Sequence, residues 1–239
     1  MLNVMGDPLQ MPVLTAERLA AYIDHAVLAP DHAVVDVEVA CADAVAYGFA
    51  AVTVPPYDVA RTAQRLARTG VATGGAIGLP FGRSGLKAKR TEAETCVRAG
   101  SGQVEMVINL AAMKSGQFGD VRGEIAAVRR IADGLILTVI LECCCLTDDE
   151  IVWACRLAME AGADVVETST GLAGCSATAR DVALVGRTVA GGAGVKAAGG
   201  IRTFDQACVM FEAGAARIGT GDGVAIVRDF QQRLQSRIN

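Results

Sequence analysis

Lysine is scarce in this chain of 239 residues, where only Lys87, Lys89, Lys114 and Lys196 occur. A neutral lysine amine can attack a carbonyl carbon and form an imine; a charged one can polarise a carbonyl oxygen. Lys196 stands in Val195-Lys196-Ala197-Ala198-Gly199-Gly200, a β-rich run that breaks into two glycines. Carboxylates sit in or at the ends of similar runs: Asp24 beside His25, Glu105 between Val104 and Met106, Glu142 after Ile140-Leu141, and Glu167 between Val166 and Thr168. Proton-exchanging carboxylates beside a lysine are the equipment of carbonyl chemistry. Thr53, Asn109, Thr168 and Arg202 occupy comparable run ends and complete a first set of candidates.

The elements that must position these residues follow from periodicity. Strand-like segments are predicted at Tyr22–Leu28, Ala51–Pro55, Ala72–Leu79, Val104–Leu110, Leu135–Glu142, Asp164–Thr170, Gly194–Ala198 and Arg217–Thr220. Amphipathic helical runs alternate with them, such as VVDVEVACADAVAYG ending in Gly48 and EIVWACRLAMEAG ending in Gly162, with a glycine that terminates each helix in the left-handed region. Thr147 precedes Asp148, Asp149 and Glu150, a helix N-cap followed by an acidic first turn. Eight βα units after a short helix near Thr15–Ala21 predict an α/β fold, a single (β/α)8 TIM barrel over 1–239. Residues 1–13 are expected to form a loose N-terminal segment. A closed ring leaves no exposed sheet edge, and its chemistry gathers at the C-terminal ends of the strands. Lys87 and Lys89 fall on the third helix and Lys114 in a loop, where solvated side chains are expected.

Composition narrows the function classes. Hydrophobic residues make up 52% and aromatic residues 4%, so the core is built from Ala, Val, Ile and Leu, which suit buried parallel strands. The net charge of −4 supplies no basic stripe for nucleic acid. No apolar run has the length of a bilayer span, and the start MLNVMGDPLQMP lacks the order of a signal peptide, so no membrane partner and a cytoplasmic location are expected. Eight cysteines in such a chain read as reduced thiols. Cys143, Cys144 and Cys145 are consecutive and alternate in direction along a strand, so they read as small buried hydrophobes and no metal site is expected there.

Several phrases at strand ends resemble those of the deoxyribose-phosphate aldolase family. YIDHAVLAP, GFAAVTVPPYDV, QVEMVINLAAMKSG, VILECCCLTDDEI, VVETSTG, VKAAGGIRT and RIGTGDGVAI match family phrases in one order and with matching spacing, from about Leu14 to near the C-terminus. The resemblance implies a class I aldolase without cofactor that cleaves 2-deoxyribose 5-phosphate, and it implies a homodimer. It also implies a Schiff-base lysine on strand six, a second lysine on strand seven that depresses the first one's pKa, and an aspartate on strand four in the proton relay.

The departures fall on those positions. Glu167 occupies the place of the strand-six lysine, and a carboxylate cannot form an imine. Lys196 matches the strand-seven lysine; beside Glu167 it is expected to be paired and charged. Glu105 stands where the family has aspartate, one methylene longer. The resemblance places substrate contacts on Asp24, Asn109, Thr168, Thr170, Gly171, Gly199, Gly200, Arg202, Gly219 and Asp222. Asp222, where a serine is usual, puts a negative charge in the family's phosphate site, unless it is only a helix N-cap. Two readings of the centre stay open: an ion pair filling an inactivated site, or a relocated centre with Lys196, Glu167 and Glu105 as its catalytic groups. They correspond to an inactive homologue that binds or regulates, and to an aldolase-like carbon–carbon lyase acting on a small carbonyl substrate that is not the usual phosphorylated sugar. A repurposed cyclase or lyase using Mg²⁺ held by Glu105, Glu142, Glu167 and Asp222 is a third reading.

Overall fold

Eight short runs of small and β-branched residues form strands: β1 (Ile23–Ala26), β2 (Ala51–Val54), β3 (Ala72–Ile77), β4 (Gln103–Val107), β5 (Ile136–Ile140), β6 (Val165–Glu167), β7 (Gly194–Ala198) and β8 (Arg217–Thr220). They pair in parallel and in sequence order, and β8 closes on β1 to complete the barrel. The computed structural model describes residues 15–174 and 176–238; the expected N-terminal segment over 1–13 lies outside them. The eight βα units read from periodicity are therefore present, and the barrel is the predicted TIM-type architecture.

Helices cover the barrel: α1 (Ala16–Ala20), α2 (Val34–Tyr47), α3 (Val59–Leu66), α4 (Leu86–Arg98), α5 (Leu110–Lys114), α6 (Phe118–Ile131), α7 (Asp148–Glu160), α8 (Ala179–Val189), α9 (Phe204–Glu212) and α10 (Gly223–Ile238). Their ends follow local chemistry. Thr147 caps α7 and Thr203 caps α9, each in a reciprocal capping box with the third helical residue, which satisfies two backbone donors at once. Gly48 ends α2 at φ +76°, as the sequence predicts.

Strand side chains alternate between the helices and the barrel interior. On β4, Val104 and Met106 join the core under the helices, and all five residues are buried. Gln103, Glu105 and Val107 share the other face, so the pleat carries Glu105 inside. On β8, Gly219 faces the interior so closely that a Cβ there would lie 2.8 Å from Lys196 Cε and 2.8 Å from Ala198 Cβ. Only glycine lets the lysine stem cross the barrel at this level.

Three expectations need correction. Lys89 is not solvated: it is fully buried, with Nζ 2.7 Å from the Glu124 carboxylate. The physical reason is that α4 turns this position onto α6, where Glu124 compensates the buried charge. Lys114 lies at the end of α5, not in a loop, and is paired with Glu150 at 2.8 Å. Finally, Cys144 is disulfide-bonded, while Cys41, Cys96, Cys143, Cys145, Cys155 and Cys208 are free. Cys143–Cys145 form a short 3-10 turn rather than a strand, and Cys145 is exposed. Among the described residues, no helix is long and apolar enough to cross a membrane.

Candidate active site

The charged candidates on β1, β4, β6 and β7 converge on Lys196. Its Nζ is 2.9 Å from Glu105 Oε1, 3.1 Å from Asp24 Oδ2 and 3.2 Å from Glu167 Oε2. All four side chains are buried, because neighbouring parallel strands in register bring their inward residues to one level. Glu167 pairs with Lys196 across β6 and β7. Glu105 is the most firmly held: its Oε1 also accepts hydrogen bonds from Thr53 Oγ1 at 2.9 Å and Gln103 Nε2 at 3.0 Å. By contrast, Glu167 is held through its 3.2 Å contact with Lys196 Nζ, with no further side-chain donor on it among the described residues.

This difference decides where a proton stays. Burial drives the Glu167 carboxyl up to about 8, opposed by the Lys196 cation and reinforced by Glu105 and Asp24. Burial also works against the charge on Lys196, yet Glu105, Glu167 and Asp24 together outweigh it and hold the ammonium above its ordinary value. The three carboxylates thus favour the ammonium form of the lysine, the pairing expected beside Glu167.

Above the cluster, a cavity of about 390 Å³ opens at the C-terminal ends of the strands. It is lined by Glu105, Glu167, Lys196, Thr170, Gly171, Gly199, Gly200, Arg202, Gly219 and Asp222 among the predicted site residues. Gly199 and Gly200 adopt φ +101° and +72°, and a Cβ on Gly200 would collide with Ser176 Oγ at 2.1 Å. This left-handed pair lets the loop after β7 turn sharply over the cavity. Asp222 reaches toward Arg202, with 3.8 Å between Oδ2 and Nε.

Three predicted contacts stand elsewhere. Asp24 lies beneath the cavity as a partner of Lys196. Thr168 is buried, its hydroxyl donating to the Ala198 carbonyl at 3.0 Å and accepting from the Ala198 amide at 3.1 Å, so it ties β6 to β7. Asn109 caps α5 by accepting from the Ala112 amide, and donates to Glu124 at 3.1 Å; it does not line the cavity. Glu142 fixes the loop after β6, accepting from the Thr170 hydroxyl at 2.6 Å. Sequence reasoning missed His32, Leu28 and Leu172, which line the cavity. Their signal was positional, since they belong to the βα loops that build the upper face of such barrels. Among the described residues, no group of three or more His, Cys, Asp and Glu side chains is placed to hold a metal ion.

A closed (β/α)8 barrel with a lysine and carboxylates gathered beneath an upper-face cavity has the architecture of a barrel enzyme. The chain belongs to the DeoC/LacD family of aldolases, whose sequence profile matches residues 18–233. It is 48% identical over 219 residues to a deoxyribose-phosphate aldolase of Rhodospirillum rubrum, covering 92% of each chain. With the corresponding protein of Brevibacillus brevis it shares 45% identity over 206 residues, covering 86% of this chain and 93% of the relative. A tetrameric deoxyribose phosphate aldolase of Aeropyrum pernix, solved as a structure, superposes with a TM-score of 0.88 at 29% identity, over 96% of this chain and 97% of that one.

Proposed function

We propose that this chain is an aldolase-type carbon–carbon lyase that works by acid–base catalysis, without a lysine imine, on a small unphosphorylated β-hydroxy carbonyl compound. The observation that carries this reading is the ring of three carboxylates within 3.2 Å of Lys196 Nζ. A lysine held charged cannot attack a carbonyl carbon, but its N–H groups can polarise a carbonyl oxygen. In the cleavage direction Glu105 accepts the proton of the β-hydroxyl group and the carbon–carbon bond breaks. The bonding electrons pass into an enolate whose oxygen is stabilised by Lys196. Glu167, which keeps a proton near neutral pH, protonates the enolate carbon, and transfer of the proton from Glu105 to Glu167 restores the starting state.

Two features favour an unphosphorylated substrate. Asp222 lines the cavity beside Arg202, and its negative charge opposes a phosphate dianion, an effect that solvent screens because the side chain is about half exposed. Leu28, Ile140 and Leu172 supply apolar wall. The inactivated-site reading draws on the same ion pairs. Against it stands the open cavity above them.

The test is a cleavage assay on 2-deoxyribose and other short β-hydroxy aldehydes and ketones, with and without a 5-phosphate, combined with borohydride trapping read by mass spectrometry. Turnover of the unphosphorylated compounds with no reduced adduct on any lysine is expected. An adduct on Lys196 would overturn the imine-free mechanism, and faster cleavage of the phosphorylated sugar would overturn the substrate class. Absence of both turnover and binding across the panel would leave the inactivated-site reading.

A further inference from the structure

Below Lys196 the barrel holds a second cavity, of about 340 Å³, at the N-terminal ends of the strands. Its walls are mainly small or apolar, with Ile136, Val165, Ala193, Gly194 and Val195 among them, and the one cation lining it among the described residues is Arg217. Arg217 opens β8, and its Cα pairs with that of Lys196. It shares the inward face with Gly219, two residues on, and sends its guanidinium up the barrel to Asp24, with Nη1 3.2 Å from Oδ1. The other oxygen of Asp24, Oδ2, is 3.1 Å from Lys196 Nζ. Asp24 is thus a buried carboxylate shared between the catalytic ammonium above and a guanidinium below.

We propose that Arg217 is a positioning residue that sets the protonation state of Glu167 from beneath the site, by neutralising Asp24. The inference rests on the acid–base reading given above. The charged groups facing Glu167 are Lys196 from β7, Glu105 from β4 and Asp24 from β1; β5 presents Ile140, β2 Thr53 and β8 Gly219 around the same space. Asp164, the other charged group on the lower cavity, is held by Arg129 at 2.8 Å and does not compete for Arg217. With Arg217 in place, two cations face three carboxyls, so a single proton balances the cluster. Glu167, which has fewer hydrogen bonds than Glu105, keeps it. Without Arg217, the unshielded Asp24 charge repels an ionised Glu167 and tightens its hold on the proton. A guanidinium suits this task because it stays charged throughout the working pH range.

The experiment is an NMR titration of the ¹³C-labelled Glu167 carboxyl in the full-length protein and in Arg217→Met and Arg217→Lys. The Arg217→Met protein is expected to move the Glu167 midpoint upward by about one pH unit or more, a tenfold change in proton affinity, while Arg217→Lys keeps the wild-type midpoint. An unchanged midpoint in Arg217→Met, or an equal shift in both variants, overturns the proposal. Should Arg217→Met fail to fold, Asp24→Asn tests the same link from the other end: the midpoint must fall, and a midpoint that stays or rises overturns the relay. A wild-type midpoint in the ordinary carboxylate range would instead refute the acid–base role of Glu167. The variant comparison reads Arg217 separately.

Discussion

Replacing Glu167 with glutamine should change how stability depends on pH more than it changes stability itself. In the folded protein the Glu167 carboxyl is pushed from its ordinary 4.5 to about 8, first by burial and then by Glu105 and Asp24, against the pull of Lys196. Between these two values the folded chain holds a proton that the unfolded chain has released. Stability must therefore fall as pH rises through that window, its full value being present below 4.5 and lost by the time pH passes 8. At about 1.4 kcal/mol per pH unit, the span corresponds to at most roughly 5 kcal/mol for this one group. Glutamine has nearly the same shape and does not titrate. Urea unfolding of both proteins from pH 4.5 to 9 should show Glu167→Gln gaining on the wild type by several kcal/mol across the range, and the subtraction removes other titrating groups that the two share. A difference that stays flat within about 1 kcal/mol, the typical scale of a single point substitution, would refute the placement of the proton on Glu167.

Other outcomes follow from the same geometry. Lys89→Met should cost about 3–5 kcal/mol in chemical unfolding, since it strands the buried Glu124 charge, and Lys89→Met/Glu124→Leu should recover most of that loss. On the proposed reading, Glu167→Lys alone should confer little cleavage of deoxyribose 5-phosphate, because Asp222 still lines the cavity; adding Asp222→Ser should raise the rate measurably above the single variant. Asn109→Ala should lower stability by about 1 kcal/mol through loss of the α5 cap and leave KM unchanged, since Asn109 does not line the upper cavity.

The parts of this molecule legible in sequence were those written in local pattern. Alternating β-rich and amphipathic runs carry the barrel, and Thr147 and Gly48 mark helix ends because capping is decided within a few residues. Glu105, Glu167 and Lys196 were legible as a group because each is a charged residue within a β-rich run, at or past the middle of its strand, and the barrel then brings them together. What could not be read was direction and depth. Lys89 looks like any helical lysine until α6 places Glu124 against it. Asn109 follows its strand like the true cavity residues, but its side chain turns back to cap the next helix. Arg217 escaped notice because it begins its strand rather than ending it; its length, not its position, brings it to the centre.

The grip on Glu105 has a stereochemical consequence. Thr53, Gln103 and Lys196 all bond to one oxygen, Oε1, which leaves Oε2 to meet a substrate proton from a fixed direction. In the proposed reaction Glu167 would meet the enolate from β6, beside Lys196 on β7. With donor and acceptor anchored on different strands, β6 and β4, around one ammonium, the enolate of the proposed reaction would be approached from a single face. Run in heavy water on a substrate with an alkyl group on the carbon to be protonated, the reaction proposed for this site should place deuterium in one prochiral position of the resulting methylene carbon, and that product should be chiral by isotope alone.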